Sequence, residues 1–276
     1  MLDAFIDAAL REDVKDGDHT SLACIDADAR DKAHLLVKDE GIIAGIDFAK
    51  YVFKKLDPTF QWQQHLEDGA SVGYGDIAFE FECNAQALLK GERLVLNTMQ
   101  RLSGVSTLSH RFAEIVKDLP VTILDTRKTT PLMRFLEKWA VRIGGCSNYR
   151  DGLYDWIMIK DNHVEACGGV AKAIKRVKSY LAAEARQLDI TVEVRNFEEL
   201  KEAMTEGGIR RIMLDNFNLN DLSEAVKIIG DAFECEASGG VNLDTVRAIA
   251  ETGVDFISVG ALTHSAGSLD MSLKIQ

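Results

Sequence analysis

Arg127, Lys128, Arg150 and Lys160 all fall in one stretch, Leu124 to His163, which reads LDTRKTTPLMRFLEKWAVRIGGCSNYRDGLYDWIMIKDNH. Arg127 and Lys128 stand just after the apolar run Val121–Leu124 (VTIL), and Lys160 follows Trp156–Ile159 (WIMI). A lone Lys or Arg in a loop is ordinarily a solvated surface charge. Two successive strand-like runs that end in cations are different, because ligands of parallel α/β folds sit at the C-terminal ends of strands. The four charges together point to a pocket for a small molecule carrying several negative charges.

Two acids extend the pattern. Glu193 lies inside the apolar run TVEV and Asp215 ends IMLD. A carboxylate in such a run is costly to bury unless it is paired or coordinates something. It is either salt-bridged to a lysine or arginine of the same fold, or it holds ribose hydroxyls or a Mg2+ ion, which favours oxygen ligands. Ser238-Gly239-Gly240 and Gly260-Ala261 follow the last two strand-like runs. Small residues there let backbone N–H groups approach a phosphate, and a helix opening at that point adds a favourable dipole.

The elements that must position these residues are legible from periodicity. Strands are expected at Val121–Leu124, Trp156–Ile159, Ile190–Val194, Arg211–Leu214, Phe233–Ala237 and Phe256–Val259. Helices are expected between them at Pro131–Ile143 (capped by Thr130-Pro131 and ended by Gly144-Gly145), Gly169–Arg186, Phe197–Glu206, Leu219–Ile229 and Leu243–Glu251. Strand–helix alternation with short loops predicts a parallel sheet, closed or nearly closed into a barrel. No GxGxxG follows any strand, which disfavours the doubly wound alternative.

Before Val121 the pattern is β-rich. Ala33–Lys38 and Gly41–Ala44 read as a hairpin, Asp47–Leu56 as a helix, and Phe60–His65 and Asp76–Glu82 as strands. A long helix from Leu88 to Lys117 carries an apolar stripe through Val95, Met99, Leu102, Val105, Leu108, Phe112 and Ile115. Leu269, Met271, Leu273 and Ile275 alternate like a strand returning to this region. The expected division is an N-terminal α+β domain over residues 1–117 joined by 266–276, and an α/β domain over 118–265.

Composition narrows the function classes. The net charge of −12 argues against nucleic acid or an anionic membrane as partner. It leaves room for a small anion bound in a local cationic pocket. No apolar run approaches the roughly 20 residues of a membrane helix, and the acidic N-terminus MLDAFIDAALRED does not read as a signal peptide. Cys24, Cys83, Cys146, Cys167 and Cys235 form no CxxC pair and are odd in number, as expected of reduced thiols in a cytoplasmic protein.

DTRKTTP, the GG…R loop and IKDNH resemble the quinolinate phosphoribosyltransferase family. The resemblance continues through EDVKDGDHTS, QRLSG, VEVRNFEEL, MLDNF, EASGG and SVGALTHS, in the family's order and over nearly the whole chain. It implies an incomplete α/β barrel with a smaller N-terminal sandwich, and transfer of phosphoribosyl from phosphoribosyl pyrophosphate to quinolinate with decarboxylation. It implies Mg2+ on Glu193 and Asp215, and Lys128, Glu193 and Asp215 as catalytic positions. For quinolinate it implies Thr126, Arg127, Lys128, Tyr149, Arg150 and Lys160, with Arg101 reaching in from the partner subunit of a homodimer. For phosphoribosyl pyrophosphate it implies Glu193, Asp215, Ser238, Gly239, Gly240, Val259, Gly260, Ala261 and His264.

The chain departs from the family pattern in three places. Tyr149 stands where a histidine is usual, Leu132 where a glycine often follows TTP, and Arg195 where many relatives have an acid. Leu132 is expected to alter helix packing only. Two rival readings are a molybdenum-transport-associated relative with another acceptor, and a non-catalytic sensor of phosphate ligands. The first lacks a clear IKDNH and the second needs no carboxylate clamp.

Overall fold

A computed structural model describes residues 1–275. Helices α1 (Leu2–Val14) and α2 (His19–Cys24) precede β1 (Arg30–Val37), β2 (Gly41–Ile42) and α3 (Ile46–Leu56). β3 (Gln61–Gln64), β4 (Ser71–Val72) and β5 (Ile77–Asn84) lead into the long α4 (Ala85–Val116). Alternation follows: β6 (Thr122–Leu124), α5 (Arg134–Ile143), β7 (Ile157–Ile159), α6 (Asp161–Cys167), α7 (Val170–Ala183), β8 (Ile190–Val194) and α8 (Phe197–Glu206). It ends with β9 (Arg211–Asp215), α9 (Leu219–Ile229), β10 (Glu234–Ser238), α10 (Val246–Ala250), β11 (Phe256–Ser258), α11 (Ala261–His264) and β12 (Met271–Ile275).

The chain forms two compact units. The first comprises Met1–His110, Thr130–Gly145 and Ala266–Gln276. Its four-stranded sheet, in the order β12-β1-β5-β3, is antiparallel throughout. Ala33, Leu35 and Val37 alternate with more exposed residues along β1 and face the core. Phe53 stacks on Phe81 and Trp62 on Phe79, with ring centroids 4.3 and 4.2 Å apart. β12 pairs with β1, the return expected from the C-terminal alternation. The expected hairpin does not form: β12 and β5 take both edges of β1, and β2 pairs with β4. Alternation identified the strands but not their partners.

The second unit comprises Arg111–Thr129 and Cys146–Ser265. Its six parallel strands run in the order β6-β11-β10-β9-β8-β7, each within two residues of its expected place. Every residue of β8 is buried, as a strand covered on both faces requires. β6 and β7 are the two ends of the sheet and do not pair, so the barrel is incomplete. On the free side of β6, Ser147 bridges to Leu124 in parallel fashion.

The units differ from the expected 1–117 and 118–265 division in two ways: residues 111–117 group with the barrel, and 130–145, including α5, with the first unit. Apolar spacing places a helix without saying which core it joins. α6 was not anticipated, being only 7 residues long.

α5 begins at Arg134, three residues later than Thr130-Pro131 suggested. The delay comes from Leu132, whose φ of +65° lies in the left-handed region and breaks the first turn. The departure at Leu132 therefore acts through backbone strain and not through helix packing, since its side chain is 87% exposed. A non-glycine residue there costs about 1–2 kcal/mol, partly offset by the larger unfolded-state entropy of glycine. Leu132→Gly should stabilise the protein by about 1 kcal/mol, raising Tm by roughly 2–4 °C in calorimetry. An unchanged or lowered Tm would contradict this account.

Candidate active site

The C-terminal ends of the barrel strands surround a cavity of about 850 Å³. Thr126, Arg127 and Lys128 enter it from the end of β6, Tyr149 and Arg150 from the loop before β7, and Lys160 from the end of β7. Glu193 of β8 and Asp215 of β9 continue the wall. Ser238, Gly239, Gly240, Gly260, Ala261 and His264 close the circuit.

The cationic side holds like charges together. Burial, and then the nearby Arg127 guanidinium, lower the Arg150 pKa. Arg150 Nη1 donates to the Trp156 carbonyl at 3.2 Å. Arg127 Nε is buried and has no hydrogen-bond partner among the described residues. A buried donor left unmatched beside a second guanidinium is a strong physical argument for an anionic ligand. Lys128 is exposed at the rim, and its carbonyl accepts from Thr263 Oγ1 at 2.8 Å.

What fixes this arrangement is Asp125, fully buried at the end of β6. Its Oδ1 accepts the Tyr149 backbone N–H at 2.9 Å, its Oδ2 accepts from Asn148, and its own N–H donates to the Ser147 carbonyl at 3.0 Å. One carboxylate thus ties the loop carrying Arg150 to the strand end carrying Arg127. Sequence reasoning passed over it as part of the DTRK run.

The acidic side divides in two. Glu193 is ion-paired with Lys160, the salt-bridge alternative left open by its place in an apolar strand. Asp215 accepts from Ser238 Oγ and Asn216 Nδ2, both at 2.7 Å. Ser238 and Asp215 are register partners on adjacent parallel strands, so this contact follows from the sheet. Gly239 and Gly240 have φ of +95° and +62°. A Cβ on Gly239 would stand 2.1 Å from Asn216 Oδ1. The Ser238–Gly240 loop does not open onto a helix as expected, since α10 starts only at Val246, whereas Gly260 does open onto α11, a helix of only four residues. Backbone geometry, not a helix dipole, is what this loop offers a phosphate.

Other expected residues lie elsewhere. Val259 is buried in the core and does not line the cavity; its N–H donates to the Leu124 carbonyl at 2.8 Å. Arg101 belongs to the first unit, where Nε and Nη2 donate to Glu137 Oε1 and Nη1 to the Ala266 carbonyl. Arg195 pairs with Glu199 and Glu165 on the surface. Cys146 is buried, and desolvation pushes its thiol up to about 12, far from a thiolate nucleophile. Met158, Met213, Asn216, Val241 and Ser258 line the cavity without having been singled out. Asn216 and Ser258 were recoverable as neighbours of strand ends already marked; the two methionines, inside apolar strands, carry no signal.

Among the described residues no group of three or more His, Cys, Asp or Glu is placed to hold a metal ion. The pair Glu193 and Asp215 nevertheless suits Mg2+ in kind, because that ion commonly takes one or two protein carboxylates and completes its shell with phosphate oxygens and water. Lys160 competes for Glu193.

Comparison with known proteins agrees over the whole chain. Residues 18–103 match the sequence model of the quinolinate phosphoribosyl transferase N-terminal domain, and residues 105–274 that of its C-terminal domain. The chain is 44% identical over 289 residues to quinolinate phosphoribosyltransferase (decarboxylating) 1b of Nicotiana tabacum, covering 99% of this chain and 82% of that relative. It is 42% identical over 264 residues to the probable nicotinate-nucleotide pyrophosphorylase (carboxylating) of Bacillus subtilis (strain 168), covering 96% and 90%. The crystal structure of NadC from Streptococcus pyogenes superposes with a TM-score of 0.93 at 36% identity, covering 100% of this chain and 96% of that one.

The glycine loop gives a direct test of the phosphate end. Gly239→Ala forces a methyl group onto Asn216 and strains a left-handed residue, at a cost of at least about 1.4 kcal/mol or tenfold in binding. Calorimetric titration with inorganic pyrophosphate should show Kd raised at least tenfold. Unchanged affinity would remove this loop from the phosphate site.

Proposed function

The chain belongs to the quinolinate phosphoribosyl transferase family, and we propose that it transfers the phosphoribosyl group of phosphoribosyl pyrophosphate to the ring nitrogen of quinolinate. Pyrophosphate and carbon dioxide leave, and the product is nicotinate mononucleotide, a precursor in NAD biosynthesis. The observation that carries this reading is the pairing of Arg127 with Arg150 in the cavity that also contains the Ser238–Gly240 loop. Two adjacent carboxylates on one aromatic ring match two converging guanidinium groups, since arginine favours bidentate carboxylate contacts.

In this reading Arg127, Lys128, Arg150 and Lys160 hold the two carboxylates and aim the ring nitrogen at the ribose C1. The nitrogen–carbon bond forms as the bond from C1 to pyrophosphate breaks. Glu193 and Asp215 stabilise the positive charge that develops on the sugar ring. Glu193 and Asp215 would be the residues to hold Mg2+, which would supply positive charge against the leaving pyrophosphate. The alkylated ring nitrogen then accepts the electron pair released as the neighbouring carboxylate departs, and a proton replaces it on carbon. No step needs a general base, which is consistent with the raised Cys146 thiol. Positioning and electrostatics carry the rate.

Neither rival reading gains support, because the relatives described above are named for pyridine-nucleotide chemistry. We further propose a homodimer in which Arg101 serves the partner subunit's cavity. Its hydrogen bonds to Glu137 and the Ala266 carbonyl within its own unit hold the guanidinium in one place. We also propose a cytoplasmic location, supported by five cysteines of which none forms a disulfide; separately, no helix of the described residues is long and apolar enough to cross a membrane.

Incubation with quinolinate, phosphoribosyl pyrophosphate and Mg2+, followed by mass spectrometry, should yield nicotinate mononucleotide. Replacing quinolinate by nicotinate should yield none. Product from nicotinate alone, or none from either acid with folded protein, would refute the assignment. Arg150→Met should lower kcat/KM for quinolinate about a hundredfold, roughly 2.8 kcal/mol at 1.4 kcal/mol per decade.

A further inference from the structure

Beneath the cavity the barrel interior holds a charged pair that neither the carboxylate clamp nor the phosphate loop uses. Arg211, the first residue of β9, is 4% exposed, and Glu236, in the middle of β10, is fully buried. Arg211 Nη1 donates to Glu236 Oε2 at 3.2 Å. The same guanidinium meets Glu234 Oε2 at 2.7 Å and lies 3.6 Å from the centroid of the Phe256 ring. A buried ion pair is a weak device for stability, because an apolar pair of similar volume often does as well. Its presence here calls for another explanation.

The directions of the hydrogen bonds supply one. Trp156 Nε1 can only donate, and it does so to Thr191 Oγ1 at 2.9 Å. The Thr191 hydrogen is then free to point at Tyr149 Oη, 2.7 Å away. At the other end Glu236 accepts from Ser258 Oγ and from Arg211, and the Tyr149 hydroxyl lies close enough to this carboxyl for each to perturb the other's titration. Burial raises the Glu236 pKa, and the Ser258 hydroxyl and the Arg211 guanidinium oppose that rise by favouring the ionised form. With a donor-only group at one end and an acceptor-only group at the other, each hydroxyl between them has a single orientation. The Tyr149 ring is then fixed from below while Asp125 fixes its backbone N–H. The next residue is Arg150. Tyr149 and Ser258 line the cavity, whereas Glu236 does not.

We propose that Glu236, paired with Arg211, is a positioning residue for the acceptor: it holds the Tyr149 hydroxyl inward and through that side chain sets the aim of Arg150. The inference rests on the quinolinate reading of the cavity. It separates the two substrates, because the chain ends at the carboxylate clamp and does not reach Gly239 or Gly240.

The test is steady-state kinetics with each substrate varied in turn. In Glu236→Gln, Glu234 still counters Arg211. In Arg211→Met/Glu236→Met both charges go together, so no lone buried charge threatens folding. Both variants should raise KM for quinolinate at least fivefold while KM for phosphoribosyl pyrophosphate stays within twofold. Adding Tyr149→Phe to the double variant should raise KM for quinolinate less than twofold further, since Glu236 acts through that hydroxyl. Equal rises in both KM values, a wild-type quinolinate KM in either folded variant, or an additive effect of Tyr149→Phe would each overturn the proposal. Wild-type protein that makes no nucleotide would instead overturn the functional reading, so the two failures are distinguishable.

Discussion

Arg127 and Arg150 repel each other, and the barrel has to hold them together. Burial first, and then that repulsion, lower the Arg150 pKa. An isolated loop would relieve it by swinging one guanidinium into water. Here Asp125 prevents the escape by gripping the Asn148 side chain and the Tyr149 backbone from the end of β6. The cost is met by folding, so that binding a dianion releases repulsion instead of having to organise the site, which is the general advantage of a preorganised electrostatic pocket.

The opposite wall is built on another principle. Glu193 is matched by Lys160, and Asp215 by Ser238 and Asn216, so the acids there are satisfied locally. A cavity with cations crowded on one side and hydrogen-bonded carboxylates on the other is polarised. That polarity suits an anionic ring meeting a sugar carbon that gains positive charge as its leaving group departs.

Much of this was legible in the sequence because strand ends and apolar periodicity are local properties. The six barrel strands and the cations that follow two of them lie where spacing put them. The illegible parts are non-local or conformational. Which strands flank β1 depends on β12, far along the chain. The start of α5 depends on one left-handed residue, Leu132, whose type gives no warning. Assigning α5 to the first unit depends on what its buried face meets, which periodicity does not encode. Asp125 and Glu236 read as ordinary acids until the fold buries them completely.

Tyr149 shows how such hidden dependencies constrain one another. The family resemblance leads one to expect histidine at this position, whose protonated form would add a third like charge beside Arg127 and Arg150. Tyrosine avoids that crowding, and burial pushes its phenol further toward the neutral form. A neutral residue at 149, however, leaves the buried Glu236 without a counter-charge from the cavity side. Arg211 supplies it from the other end of the barrel, with its guanidinium 5.1 Å from the centroid of the Tyr149 ring and 3.2 Å from Glu236. The neutral wall residue and the buried arginine meet only through the fold, and neither is intelligible from its own neighbours in the sequence.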